Sequence, residues 1–123
     1  MFRKLPSTTV QDAELSIFID GEPVLAEVGE TVAAVLLRQD PLITRTTPVG
    51  NSPRAPYCMM GVCFDCLAIV DGVASTQTCM VSVQAGMRVE RQCGRRLASA
   101  AKLADVVPEE TGSAARSSKK ACL

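Results

Sequence analysis

The spacing of four cysteines constrains this chain more than any other feature. They stand in Cys58-Met59-Met60-Gly61-Val62-Cys63-Phe64-Asp65-Cys66, followed after twelve residues by Cys79. The C-x4-C-x2-C run is the spacing of plant-type [2Fe-2S] sites. The reason is geometric. Two irons bridged by two sulfides need four thiolates, two on each iron. A loop lets closely spaced cysteines wrap such a cluster, and the fourth ligand arrives from a nearby element. Gly61 has a part in this, because it can take φ > 0 and turn backbone N–H groups toward sulfur. Such N–H···S bonds stabilise the reduced state and raise the potential. Met59, Met60, Val62 and Phe64 are expected to shield the cluster edge from water; Met59 and Met60 read as a cluster cover or partner-facing patch, with simple core filler as the alternative.

Other uses of the cysteines stay open at this level. Four-cysteine zinc sites usually come as two CxxC knuckles, and here only Cys63 and Cys66 form one. A thioredoxin-like redox pair at Cys63 and Cys66 would want a βαβ context that the chain lacks. Disulfides are disfavoured in a chain that carries no signal peptide. The leader Met1-Phe2-Arg3-Lys4-Leu5-Pro6 has no apolar h-region, so the expected location is the cytoplasm.

Composition removes several function classes. There is no histidine, which excludes Ser-His triads, Cys-His dyads, mixed Cys/His zinc sites and Rieske-type ligation. Lys plus Arg and Asp plus Glu each number 13, leaving no net charge. A nucleic-acid binder normally shows a basic excess or stripe, and none is present. No apolar run is long enough to span a membrane. Aromatics are 3% of the chain, so the core must be small and aliphatic.

Along the chain, residues 1–12 read as a flexible arm, 13–95 as the folded domain, and 96–123 as a partly disordered C-terminal extension. Leu15, Ile17 and Ile19 carry strand periodicity. Asp20-Gly21 is a type I′ hairpin signal, and Val24, Ala26 and Val28 form the return strand. Pro23 is tolerated at that strand's start. Thr31 is an acceptable N-cap for a helix over Val32–Gln39, with Val32, Val35 and Leu36 on one face. Asp40-Pro41 stops it. Leu42-Ile43 is a candidate short strand. Residues 46–56 read as loop. Leu67 to Val70 is a strand ending at the Asp71-Gly72 turn, and Met87 and Val89 suggest a last strand. Residues 97–107 are a candidate short helix, and the chain from Pro108 reads as a tail.

Several other residues have bland readings. Cys93 reads as an ordinary small thiol and Cys122 as an exposed tail cysteine. Arg95 and Arg96 read as a solvated face. Arg54 either orients the loop, pairs with a partner carboxylate or is a solvated charge. Asp65 is placed to cap backbone N–H groups of the loop.

At the cysteine run the chain resembles the 2Fe-2S ferredoxin superfamily. That resemblance implies an α+β, β-grasp fold, a mixed sheet packed on one helix. The fourth cysteine comes sooner than in plant ferredoxins. Its spacing is closer to the ferredoxin-like domain of succinate dehydrogenase iron-sulfur subunits, whose second cysteine-rich domain is absent here. A narrower resemblance rests on Thr47-Pro48, on Ser52-Pro53-Arg54-Ala55-Pro56-Tyr57 leading into Cys58–Cys66, and on Gln77-Thr78-Cys79-Met80. These stretches resemble small subunits of heteromeric flavin-dependent amine dehydrogenases, of the hydrogen cyanide synthase, D-hydroxyproline dehydrogenase and opine oxidase type.

What the resemblance implies is a [2Fe-2S] cluster on Cys58, Cys63, Cys66 and Cys79. It also implies larger flavoprotein subunits, holding FAD or FMN, that oxidise an amine or amino acid. The expected role is electron transfer without bond-making chemistry, since no paired carboxylates or phosphate-binding glycine loop are present. Membrane contact would be peripheral and through the complex. Two rival roles are a docking subunit braced by a cluster or zinc, and a free soluble ferredoxin. Free plant-type ferredoxins are strongly acidic, which aids steering, and zero net charge argues for a fixed subunit instead.

Overall fold

In a computed structural model, residues 13–94 are described, together with residues 2, 3 and 5. Most of the N-terminal arm lies outside the described residues. So do the C-terminal extension with its candidate helix, and Arg95, Arg96 and Cys122.

The strand-period segment forms β1 (Glu14–Ile19) and returns as β2 (Glu22–Glu27). The two pair antiparallel, with Ile17 opposite Val24 and Leu15 opposite Ala26. Asp20 and Gly21 both have positive φ, 51° and 88°, as the Asp-Gly turn requires. The alternation puts Ile17 and Ile19 in the core and leaves Phe18 partly exposed.

Helix α1 covers Val32–Leu36. Thr31 caps it, its hydroxyl accepting the Ala34 N–H at 3.2 Å. Glu30 accepts the Glu27 N–H at 2.9 Å and takes the Arg38 guanidinium on both carboxylate oxygens. The helix is shorter than the predicted Val32–Gln39. The Arg38 and Gln39 amides reach back three residues, to Val35 and Leu36, so the last turn tightens out of α geometry.

The expected strand at Leu42-Ile43 is displaced. Strand β3 is Arg45–Thr46 and pairs antiparallel with β4 (Pro53–Arg54), inside the stretch read as loop. Thr47 Oγ1 accepts the Ser52 N–H at 2.9 Å and helps close this hairpin. Two-residue strands carry no periodicity, and the Pro, Gly and Ser content masks them.

Strand β5 (Leu67–Val70) turns through Asp71-Gly72 into β6 (Val73–Gln77), to which the sequence reading gives no element. The register shifts between Ala68 and Val70, and Ser75 has φ of 57°. That bulge scrambles the alternation that would have announced the strand. A turn of 3-10 helix over Thr78–Met80 follows, and β7 is Arg88–Arg91.

The main sheet has the order β2-β1-β7-β5-β6. β7 is its middle strand, parallel to β1 and antiparallel to β5. This is the mixed sheet on one helix of a β-grasp, α+β fold. Ile17, Ile19, Val32, Val35, Leu36, Val70 and Val89 are among the residues packed between sheet and helix. Each such side chain contributes about 1.5–3 kcal/mol by leaving water. Ile17 sits fully buried at the centre of that layer. Ile17→Ala should therefore cost about 2–5 kcal/mol in a urea titration, with no change in the pairing of the cysteine loop.

Candidate metal centre

The loop between β4 and β5 carries Cys58, Cys63 and Cys66, and the 3-10 turn after β6 carries Cys79. All four are free. Their sulfurs fall into two pairs. Cys58 has Cys63 as a neighbour, and Cys66 packs with Cys79. Cys58 and Cys63 are half-buried, whereas Cys66 and Cys79 are buried.

Backbone amides point at these sulfurs. The Met60 N–H donates to Cys58 Sγ and the Asp65 N–H to Cys63 Sγ, each at 3.4 Å. These donors favour negative charge on sulfur. The Cys58 thiol accordingly lies at about 6. The Met60 N–H is the leading cause and the Cys63 N–H the next. Cys79 goes the other way. It is pushed up to about 11, by burial first and then by its neighbour Cys66, with the Gly61 N–H opposing. A metal bound here would have to displace the Cys79 proton, and its own charge would supply that drive.

Local backbone shape makes this possible. Gly61 has φ of 85°. Its N–H is directed to Cys79, and its carbonyl accepts the Gln77 side chain at 2.9 Å. A Cβ here would lie 3.1 Å from Met80 Sδ. Met59 and Phe64 also have positive φ, 56° and 58°, which non-glycine residues adopt only when held. The Cys66 carbonyl accepts both the Thr78 hydroxyl, at 2.7 Å, and the Thr78 N–H, at 3.3 Å. That double bond ties the third cysteine to the residue before the fourth. Ala33 of α1 packs against Cys66 and Cys79, and its small side chain lets the helix come close.

The two-and-two grouping fits a two-iron cluster, which takes two protein sulfurs per iron and fills each tetrahedron with sulfide. The four thiols and their amide donors could thus hold a [2Fe-2S] cluster.

The apolar loop residues do not shield this centre as expected. Met60 and Val62 are about two-thirds exposed, at 68% and 67%. Met59, Phe64, Tyr57 and Met80 are exposed too. Amides that turn inward to sulfur leave the side chains on the outside. Asp65 does not cap the loop with its carboxylate in the way predicted. It uses its backbone N–H on Cys63, and its Oδ1 receives Arg45 at 3.1 Å. Arg54 is exposed on β4 and contributes its carbonyl, which accepts both the N–H and the hydroxyl of Thr44. Cys93 follows β7 at the end of the described residues. Sequence reasoning missed Thr44 and Arg45, which have no local signature; Gln77 and Thr78 stand in a stretch that carried the resemblance, but their hold on the loop was not foreseen.

Residues 12–94 match the family described as 2Fe-2S iron-sulfur cluster binding domain. The chain is 37% identical over 83 residues to hydrogen cyanide synthase subunit HcnA of Pseudomonas aeruginosa, covering 68% of this chain and 79% of that one. It is 37% identical over 90 residues to HcnA of Pseudomonas protegens, covering 70% and 81%. Among solved structures, L-proline dehydrogenase from P. horikoshii superposes with a TM-score of 0.55 at 23% identity. The overlap takes in 70% of this chain but only 17% of the dehydrogenase chain, so that likeness bears on the fold.

Gly61→Ala would force an L-residue into left-handed backbone and press its Cβ on Met80. The expected cost is about 1–3 kcal/mol in chemical denaturation, with a looser grip on iron under chelator challenge.

Proposed function

The chain belongs to the family of 2Fe-2S iron-sulfur cluster binding domains, and from that premise we propose that it is the electron-transfer subunit of a heteromeric flavin-dependent dehydrogenase acting on an amine or amino acid. The observation that carries this is the gathering of four free cysteines on one loop and the adjoining turn, with the Met60 and Asp65 N–H groups directed at the Cys58 and Cys63 sulfurs. In this reading the four are the ligands, two to each iron, within a cluster-binding unit over residues 13–95. Gly61, Met60 and Asp65 supply the amides that hold charge on the sulfurs.

A bound [2Fe-2S] cluster supplies one-electron acceptance and donation. The residues of this chain do the rest. They fix the four sulfurs, keep two of them out of water and leave the other two toward a partner. A reduced flavin gives up two electrons, so a relay that takes one at a time separates them. The relatives' description as a hydrogen cyanide synthase subunit supports a partner of flavoprotein type, with FAD or FMN held there. The exposed apolar side chains of Tyr57, Met59, Met60, Val62, Phe64 and Met80 support a docked life, in which a partner would cover them. No helix among the described residues is long and apolar enough to cross a membrane. The proposed location is the cytoplasm, with any membrane contact made through the complex.

The test is substrate-driven reduction. Anaerobically purified complex should contain iron and acid-labile sulfide in equal amounts and give a rhombic EPR signal on reduction. Amine or amino-acid substrate should produce that signal within the turnover time. Zinc in place of iron, or a cluster that substrate never reduces, would leave a docking subunit. Elution of the chain alone from its native source would leave a free ferredoxin.

Two substitutions sharpen the picture. Cys58→Ser should lower bound iron and sulfide sharply, read by colorimetric assay of the purified chain. Met60→Glu should leave iron content unchanged but weaken partner binding by about tenfold, the scale of one interface anchor, read by titration of the flavoprotein against the chain.

A further inference from the structure

Among the described residues Arg45 is the buried charged side chain, and such a charge is costly unless its donors are used. Its guanidinium is spent on the cysteine loop. Nε donates to the Phe64 carbonyl at 3.0 Å, and Nη2 donates to Asp65 Oδ1 at 3.1 Å. The neighbouring Thr44 hydroxyl donates to the Asp65 carbonyl at 2.8 Å. Three hydrogen bonds from β3 and the residue before it thus fall on two consecutive loop residues. The first of these, Phe64, is in left-handed backbone with φ of 58°, a conformation that costs of order 1–3 kcal/mol and persists only when its surroundings dictate it.

The Phe64 carbonyl and the Asp65 N–H belong to the same peptide unit. That N–H is the donor to Cys63 Sγ at 3.4 Å. A line of polar contacts therefore runs from the Arg45 guanidinium into the carbonyl of one peptide and out of its N–H onto a sulfur. Hydrogen bonds in such a chain polarise one another. Donation to the carbonyl makes the N–H a better donor, and a better N–H···S bond lowers the cost of added negative charge on the cluster.

We propose that Arg45 is a positioning residue for the iron-sulfur centre: through the Phe64–Asp65 peptide it aims and strengthens the N–H bond to Cys63 and so raises the reduction potential. This rests on the cluster reading above and extends it to a residue outside the cysteine loop. Asp65 balances the guanidinium charge and fixes its angle. The two side chains are only 11% and 24% exposed, so water competes little for either.

The experiment uses the full chain with its cluster in place and two variants, Arg45→Gln and Arg45→Lys. Three quantities are read: iron and sulfide content, midpoint potential by EPR-monitored titration, and hydrogen exchange of the Asp65 amide. Arg45→Gln should keep the cluster, shift the potential negative, and speed Asp65 exchange by about tenfold, the factor for one ordinary hydrogen bond. Arg45→Lys keeps the charge but cannot present the planar fork, so its potential should also fall below wild type. A wild-type potential in Arg45→Gln with full iron content would overturn the proposal. So would complete rescue by lysine, which would make charge alone the cause. Loss of both cluster and fold in both variants would overturn it as well, leaving Arg45 a residue of packing only. If the wild-type chain itself takes up no iron and sulfide, the cluster reading falls, and Asp65 exchange still reports whether Arg45 holds that peptide.

Discussion

Four thiolates do not gather of their own accord. Each carries negative charge once deprotonated, and bringing them together in a partly buried loop sets them against one another. Burial first, and then its neighbour Cys66, push the Cys79 thiol up, so negative charge is disfavoured there. Opposing it are amide dipoles from Met60, Gly61 and Asp65, aimed at sulfur by backbone conformations that ordinary residues avoid. The centre therefore depends on a frame stiff enough to keep the loop in an unfavourable shape. The rest of the molecule can be understood as that frame.

The frame works in two tiers. The aliphatic layer between sheet and α1 holds no cysteine and would pack in the same way around any loop. A second, small cluster of Ala33, Cys66 and Cys79 joins that layer to the centre. Hydrogen bonds then carry rigidity outward. Thr78 grips the Cys66 carbonyl, Gln77 the Gly61 carbonyl, and Thr44 with Arg45 the Phe64–Asp65 segment. Gln92 holds β6 to β7 through its bond from the Ser75 N–H at 2.7 Å, and its backbone exchanges bonds with Thr44 and Thr46. The little β3–β4 hairpin is thereby fastened to the main sheet. Its reason for being there is that it brings Thr44 and Arg45 to the loop.

What the sequence disclosed follows from the range of each interaction. The cysteine run is local, and its spacing encodes a chelate, so it could be read directly. The β1–β2 hairpin has clean alternation around Asp20-Gly21, and α1 has a cap and an apolar face. Elements fixed by distant partners could not be read in this way. Arg45 meets Asp65 across 20 residues, and nothing beside it in the chain marks it out among thirteen basic residues. Strand β6 hides behind its bulge at Ser75. Met60 faces outward as a partner-facing patch would, whereas the outward turn of Val62 was not foreseen, because the amides claim the inner side of the loop.

The two halves of the cysteine quartet differ in depth: Cys66 and Cys79 are buried, and Cys58 and Cys63 are not. A centre mounted in this way wears unevenly. With a cluster held by these four in the proposed way, dissolved oxygen and chelators would meet the Cys58 and Cys63 side first, while the Cys66 and Cys79 side would be sheltered. Decay of the cofactor should run from the rim inward, and repair in the cell would have an intact inner foothold on which to rebuild.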